Sequence, residues 1–218
     1  IYITTTFRIG AWVTPKVLGY EEDGIVPGVA FRTGFQLPGG FAYLDASAYR
    51  RISSAAVDTG SVNTALTMFL QPYRRHAAIL YAGAGWQYGA SPGAEYDLGF
   101  DLGPRGYPAH AFTGNRAFFG TAEYRFTLAE DFLRLMGVGL AAFVDYGGAW
   151  YAGSPKRTGW DAGIGLRLGA SRSTELEVNR FDLVHCFGGA ESLCGNLGGF
   201  SLVIAKGFPF STNGTLFR

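Results

Sequence analysis

Apolar and polar residues alternate along most of this chain with a period of two. Ile3, Thr5, Phe7, Ile9, Ala11 and Val13 share one face, and Thr4, Thr6, Arg8 and Gly10 share the other. Val29, Phe31, Phe35 and Leu37 alternate with Ala30, Arg32, Gly34 and Gln36. The same pattern predicts strands over 41–51, 62–71, 77–88, 116–128, 137–150, 159–169, 174–184 and 199–210. Strict alternation of this kind is the mark of strands with one buried face. The result is about ten strands of roughly 9–13 residues, long enough to cross a bilayer at a tilt.

The connections alternate as well. Short links at 37–40, 71–76, 128–134 and 169–173 alternate with longer ones at 13–28, 52–61, 89–115, 151–158 and 185–198. Short turns on one side and long loops on the other fit an outer-membrane barrel. A β-sandwich or lipocalin-like barrel is the soluble alternative, but strands there average about 5–6 residues. Aromatic residues fall near strand ends, at Trp12, Tyr49, Tyr73, Trp86, Tyr88, Trp150 and Trp160, where the girdles of a membrane barrel would place them.

Composition narrows the class. Of 218 residues, 16% are charged and 33 are Gly. Soluble domains carry roughly 25% charged residues and about half this share of Gly. The net charge of +1 offers no basic field for nucleic acid. No segment reaches the ~18 apolar residues of a membrane helix. A chain of this kind in a membrane must therefore close into a barrel. No signal peptide is visible and Ile1 is not a natural start, so a processed, trimmed or partial chain is expected. A barrel domain over 1–210 and a short extension over 211–218 complete the expected organisation.

Enzyme chemistry has little support. GAGWQYG (83–89) and GIGLRLG (163–169) lack phosphate-loop spacing and read as strand glycines. His76, His110 and His185 fall in three different connections, with no metal-ligand spacing and no nucleophile elbow. No catalytic residue, metal or cofactor is expected. Cys186 and Cys194 share one long loop with seven residues between them. Their spacing permits a disulfide and an extracytoplasmic compartment favours it, with two free thiols as the alternative.

The stretch GPRGYP (103–108) is the least ordinary. Its Gly and Pro residues say turn, but the turn carries a lone Arg105 beside Tyr107. The next strand places Thr121, Glu123 and Arg125 on one face, and the one after it places Phe143, Asp145 and Gly147 on one face. In a barrel the polar face is the inner one, so Glu123 and Asp145 would point into the lumen from neighbouring strands. Arg105 could then bridge both with its fork of donors, or it could be a solvated loop charge. Spacing alone leaves both open.

The ordered set LGPRGYP (102–108), GNRAFFGTAEYRF (114–126), GLAAFVDYGGAW (139–150), GWDAGIGLRLGAS (159–171) and GFSLVIAKGFPF (199–210) resembles the BamA/TamA superfamily of outer-membrane barrels. The resemblance covers roughly 95–210, while 1–94 match only in the rhythm of strands and loops. Pro104 stands where the family's loop signature has Leu or Val. The resemblance implies that these strands are the last ten of a sixteen-stranded transmembrane barrel, preceded by periplasmic POTRA domains. It also implies that Arg105, with Gly106 and Tyr107, latches an inward loop onto Glu123 and Asp145. A weak seam at the last strand is implied too, with Gly199, Gly207, Pro209 and Phe210 as its residues, since Gly and Pro weaken a ladder. The implied location is the bacterial outer membrane. The implied partners are the bilayer, other outer-membrane proteins or an exported polypeptide, and POTRA domains or accessory subunits. Three functions compete: insertion of outer-membrane proteins, a two-partner secretion pore, and a structural barrel in a larger complex.

Overall fold

The computed structural model describes residues 3–53, 59–89, 95–100, 102–170, 178–188, 190, 193–194 and 199–208. The strands are β1 (Thr6–Thr14), β2 (Gly24–Leu37), β3 (Gly40–Arg50), β4 (Ile52–Ser53), β5 (Gly60–Tyr73), β6 (His76–Tyr88), β7 (Tyr96–Leu98), β8 (Phe112–Gly114), β9 (Arg116–Phe132), β10 (Met136–Trp150), β11 (Thr158–Ala170), β12 (Val178–Phe187) and β13 (Phe200–Lys206). One 3₁₀ turn, Lys16–Leu18, interrupts the first long connection.

Ten of these form one antiparallel ladder in the order β1-β2-β3-β5-β6-β9-β10-β11-β12-β13, with β4 beside β2. The ladder follows chain order, skipping only β4 and the β7–β8 hairpin, which forms its own two-stranded sheet. The all-β antiparallel class is therefore as the alternation predicts. β1 and β13 do not pair with each other, so the ladder stays open among the described residues. It is nonetheless strongly curled. Phe69 of β5 meets Phe208, just beyond β13, with ring centroids 5.8 Å apart, although six strands follow β5 along the ladder to reach that edge.

Several strands run longer than their pattern suggests. β2 begins at Gly24, not Val29, and carries Pro27 inside it. Pro27 sits where the partner changes, between the β3 ladder that starts at Gly28 and the β4 ladder that ends at Ile25. A missing donor is tolerated at such a break. β9 continues to Phe132 and shrinks the expected 128–134 link to a tight turn, with Leu133 and Arg134 at φ of 53° and 58°. His76 opens β6 instead of lying in a connection. β12 runs past Val184 to Phe187, because Asp161 and Trp160 of β11 still offer partners to Cys186 and Phe187. His185 and Cys186 are thus strand residues, not loop residues. Its expected start at Thr174 lies outside the described residues.

The two faces of the sheet are chemically inverted. The outer face exposes large apolar side chains, among them Ile9, Leu140, Val144, Ile164, Leu183 and Leu202. The inner face buries polar and charged ones, including Thr121, Glu123, Asp145, Asp161, Arg167, Arg180 and Asp182.

Candidate functional site

The site is built from the long connection between β6 and β9. Within it, β7 and β8 pair from Tyr96 opposite Gly114 to Leu98 opposite Phe112. Tyr96 donates from its hydroxyl to Asn63 Oδ1 at 2.7 Å, and burial raises its phenol above its ordinary pKa. The hairpin seats against the inner face through Tyr96, Leu98, Tyr107, Ala111 and Phe112, which pack with Ile79, Tyr81 and Phe119. Its tip is residues 99–111. The limbs of the tip touch: a Cβ on Gly99 would lie 2.1 Å from the Pro108 carbonyl oxygen. Gly103 has φ +128°, a conformation that only Gly adopts freely. These two glycines narrow the tip so that Arg105 is carried inward.

Arg105 is fully buried, and all five of its guanidinium N–H donors find acceptors. Nε donates to Asp145 Oδ2 at 2.7 Å. Nη2 donates to Asp145 Oδ1 at 3.1 Å and to Thr121 Oγ1 at 3.2 Å. Nη1 donates to Glu123 Oε2 at 2.8 Å and to Asp182 Oδ2 at 3.4 Å. Its backbone N–H adds a further bond to Asp145 Oδ2 at 3.2 Å. The guanidinium also lies over the Phe143 ring, 3.7 Å from its centroid. Asp145 is held by a two-point fork, the strongest neutralising geometry a carboxylate can receive.

Around this pair the inner face is charge-balanced. Glu123 also accepts from Arg167, through Nε at 3.0 Å and Nη2 at 2.8 Å, and from Arg125. Asp182 accepts from Arg167, with Arg180 Nη1 3.6 Å away. With Asp161, the cluster holds four carboxylates and four guanidiniums. Neutrality is what permits so many charges to be buried together, since an unpaired one would be very costly.

Gly106 and Tyr107 complete the tip. The Gly106 N–H donates to Asp161 Oδ2 at 2.9 Å. A Cβ there would stand 2.6 Å from Cys186 Sγ and 2.9 Å from Val184 Cγ1, so no side chain fits. Tyr107 packs edge-on against Phe112 and donates its hydroxyl to the Phe187 carbonyl at 3.1 Å. Gly159 makes room for it, as a Cβ there would lie 2.5 Å from the Tyr107 ring.

Cys186 and Cys194 are bonded to each other, with Cα atoms 6.1 Å apart. Cys186 sits on the inner face of β12, in line with Arg180, Asp182 and Val184. The expected seam is only partly described. Gly199 precedes β13 with φ +87° and Gly207 follows it with φ +71°, so both end the strand instead of weakening its interior. Pro209 and Phe210 lie outside the described residues.

Arg105, Gly106, Tyr107, Glu123 and Asp145 thus come together, while Gly199 and Gly207 stand apart from them. Reading the loop and two strands missed Asp161, Arg167, Arg180 and Asp182. Parity could have found them: 161 and 167 share the inner face of β11, and 180 and 182 that of β12. Most of the carboxylate oxygens are taken up by guanidinium or backbone N–H donors, so the arrangement acts as a clamp, and Asp161 Oδ1 and Arg180 Nε are buried without a hydrogen-bond partner among the described residues. Among the described residues no group of His, Cys, Asp and Glu could hold a metal ion. Compared with known proteins, the chain matches no family model, and no curated protein is significantly similar to it.

Proposed function

We propose that this chain is part of an outer-membrane β-barrel of the BamA/TamA kind, which inserts other outer-membrane proteins or passes polypeptides, and that loop 99–111 is its internal latch. The observation that carries the reading is Arg105, whose five donors are spent on Glu123, Asp145, Asp182 and Thr121. A latch of this kind holds the wall strands β9, β10 and β12 through a single side chain. The inverted faces support a lipid surround. An exposed apolar outer face and a charged interior suit a barrel in lipid and would be reversed in water. The open ladder supports further strands or partners at its edges, because lipid cannot satisfy an unpaired edge.

The test uses the full-length protein in lipid vesicles. A urea-unfolded outer-membrane protein is added, and its acquisition of protease resistance is timed. Faster folding than in empty vesicles is the expected outcome. No acceleration by correctly folded protein would overturn insertion, and ion conductance or polypeptide uptake in the same vesicles would then identify a secretion pore. A structural barrel without transport is the second reading. It is favoured by the packing of Tyr107, Phe112 and Phe119 into the interior, and it expects neither activity.

A further inference from the structure

The Cys186–Cys194 disulfide does more than close a short loop, because both sulfurs press on the tip that carries Arg105. Cys186 Sγ lies under Gly106, where a Cβ would be 2.6 Å away. Cys194 Sγ stands 3.2 Å from the Gly106 carbonyl oxygen, a contact made without a proton, since the sulfur is bonded. Ser201 donates its hydroxyl to the same oxygen at 3.2 Å. Gly106 is therefore gripped from two sides, by Asp161 at its N–H and by the disulfide and Ser201 at its carbonyl. A cavity of about 360 Å³ lies beside the tip, bordered by Tyr107, Leu193 and Val203, and gives it somewhere to move.

We propose that this disulfide is a redox-sensitive lock on the inward loop. Intact, it ties Cys194 to β12 and keeps it against Gly106. A dithiol reductant breaks the S–S bond, gives two electrons and two protons to the sulfurs, and leaves as its own disulfide. The two thiols are then free to part, and Cys194 no longer backs the tip. The coupling works in both directions. Cys186 is 0% and Cys194 9% exposed, and Gly106 of the tip lies against both sulfurs, so a shift of the tip opens the bond to a reductant. Thiol–disulfide exchange requires that access. The lock concerns the position of the loop and stands apart from whether the barrel handles polypeptides.

Trypsin reads the tip directly, because the bond after Arg105 is a cleavage site that the latched form buries. The folded full-length protein is digested briefly in three forms: oxidised, reduced with dithiothreitol, and carrying Cys186→Ser with Cys194→Ser. Cleavage after Arg105 is measured against cleavage after exposed Arg157 and after Arg167 inside β11. Limited cleavage follows the population of the open form. The lock requires cleavage after Arg105 to rise by about tenfold in the reduced and double-serine forms, with Arg167 still protected. It also requires Arg105→Lys protein to lose its disulfide to dithiothreitol about tenfold faster than the parent. Unchanged cleavage after Arg105, or a rise matched at Arg167, overturns the lock and leaves the disulfide a staple of the fold.

Discussion

β1 and β10 carry the same period-two pattern but bury very different amounts. Along β1, Thr6 to Val13 is exposed on both faces, and only Thr14 is buried. Along β10, Leu140, Ala142, Val144 and Tyr146 are exposed while Ala141, Phe143, Asp145 and Gly147 are buried. The difference lies in what covers the inner face. Over β9–β12 the tip of the β7–β8 hairpin is laid down, and over Thr6–Val13 of β1 nothing among the described residues is. Alternation makes two faces, but an interior needs something to fill it. Charge pairing follows the same division. Arg32 and Asp45, directly opposite on β2 and β3, form an ion pair at 2.6 Å that leaves Arg32 34% exposed. Arg105 and Asp145 form one at 2.7 Å with neither side chain exposed. Geometry is alike in the two pairs, and burial separates them.

The most damaging way to test that contrast is Arg105→Ala. It leaves Glu123, Asp145 and Asp182 buried with one cation fewer, a change that typically costs about 3–5 kcal/mol. Urea unfolding of the folded protein measures it. Arg105→Lys should rescue poorly, because an ammonium cannot replace a planar fork that reaches several acceptors. Combining Arg105→Ala with Asp145→Asn should recover much of the loss, since one cation and one carboxylate then leave together while Glu123 keeps Arg167 and Arg125. Costs that simply add would show that the cluster is not coupled.

The outer face is tested by Ile164→Arg, on a side chain that is 65% exposed in mid-β11. Facing lipid near the midplane, the charge should cost about 2–4 kcal/mol of folding stability in vesicles. Facing water, it should change stability by no more than about 0.5 kcal/mol. The small value would remove the lipid surround from the proposed function. Next in size is Gly106→Ala, whose new methyl would push on Cys186, Val184 and Asp161. Overpacking of this kind costs about 1–3 kcal/mol, read from the same unfolding transition. No loss would mean that the tip has slack against β12.

Much of this was legible in the chain, and the limits are physical. Ten ladder strands follow from period two, and so does the shared face of Glu123 and Asp145, because an unbroken antiparallel register preserves parity from strand to strand. Arg105 stood out as a charge among turn residues, and the family resemblance pointed it inward. The β7–β8 hairpin was hidden, since three-residue strands beside a Gly/Pro-rich tip leave no period to count. The alternation places the strand end at Val184 and so puts Cys186 in the loop, whereas the β11 ladder carries pairing up to Phe187. Asp182 was missed for a different reason. Its contact with Arg105 is set by the curl of the sheet across two further strands, and parity within one hairpin does not report curl.

The smallest expected effect belongs to a pair that looks just as well made as the Arg105–Asp145 fork. Arg74, in the turn between β5 and β6, donates through Nε and Nη2 to the two oxygens of Glu130 at 3.1 and 2.9 Å. This is the same two-point fork that Arg105 offers to Asp145. Its side chains, however, are 84% and 54% exposed. Water solvates each partner nearly as well apart as together, and salt screens what attraction remains. Arg74→Ala should therefore leave the unfolding midpoint unchanged within error at physiological salt, and at most lower it slightly at low salt. If Arg74→Ala proved as destabilising as Arg105→Ala, burial would not be what distinguishes the two forks, and the account of the inner face given by β1 and β10 would fail with it.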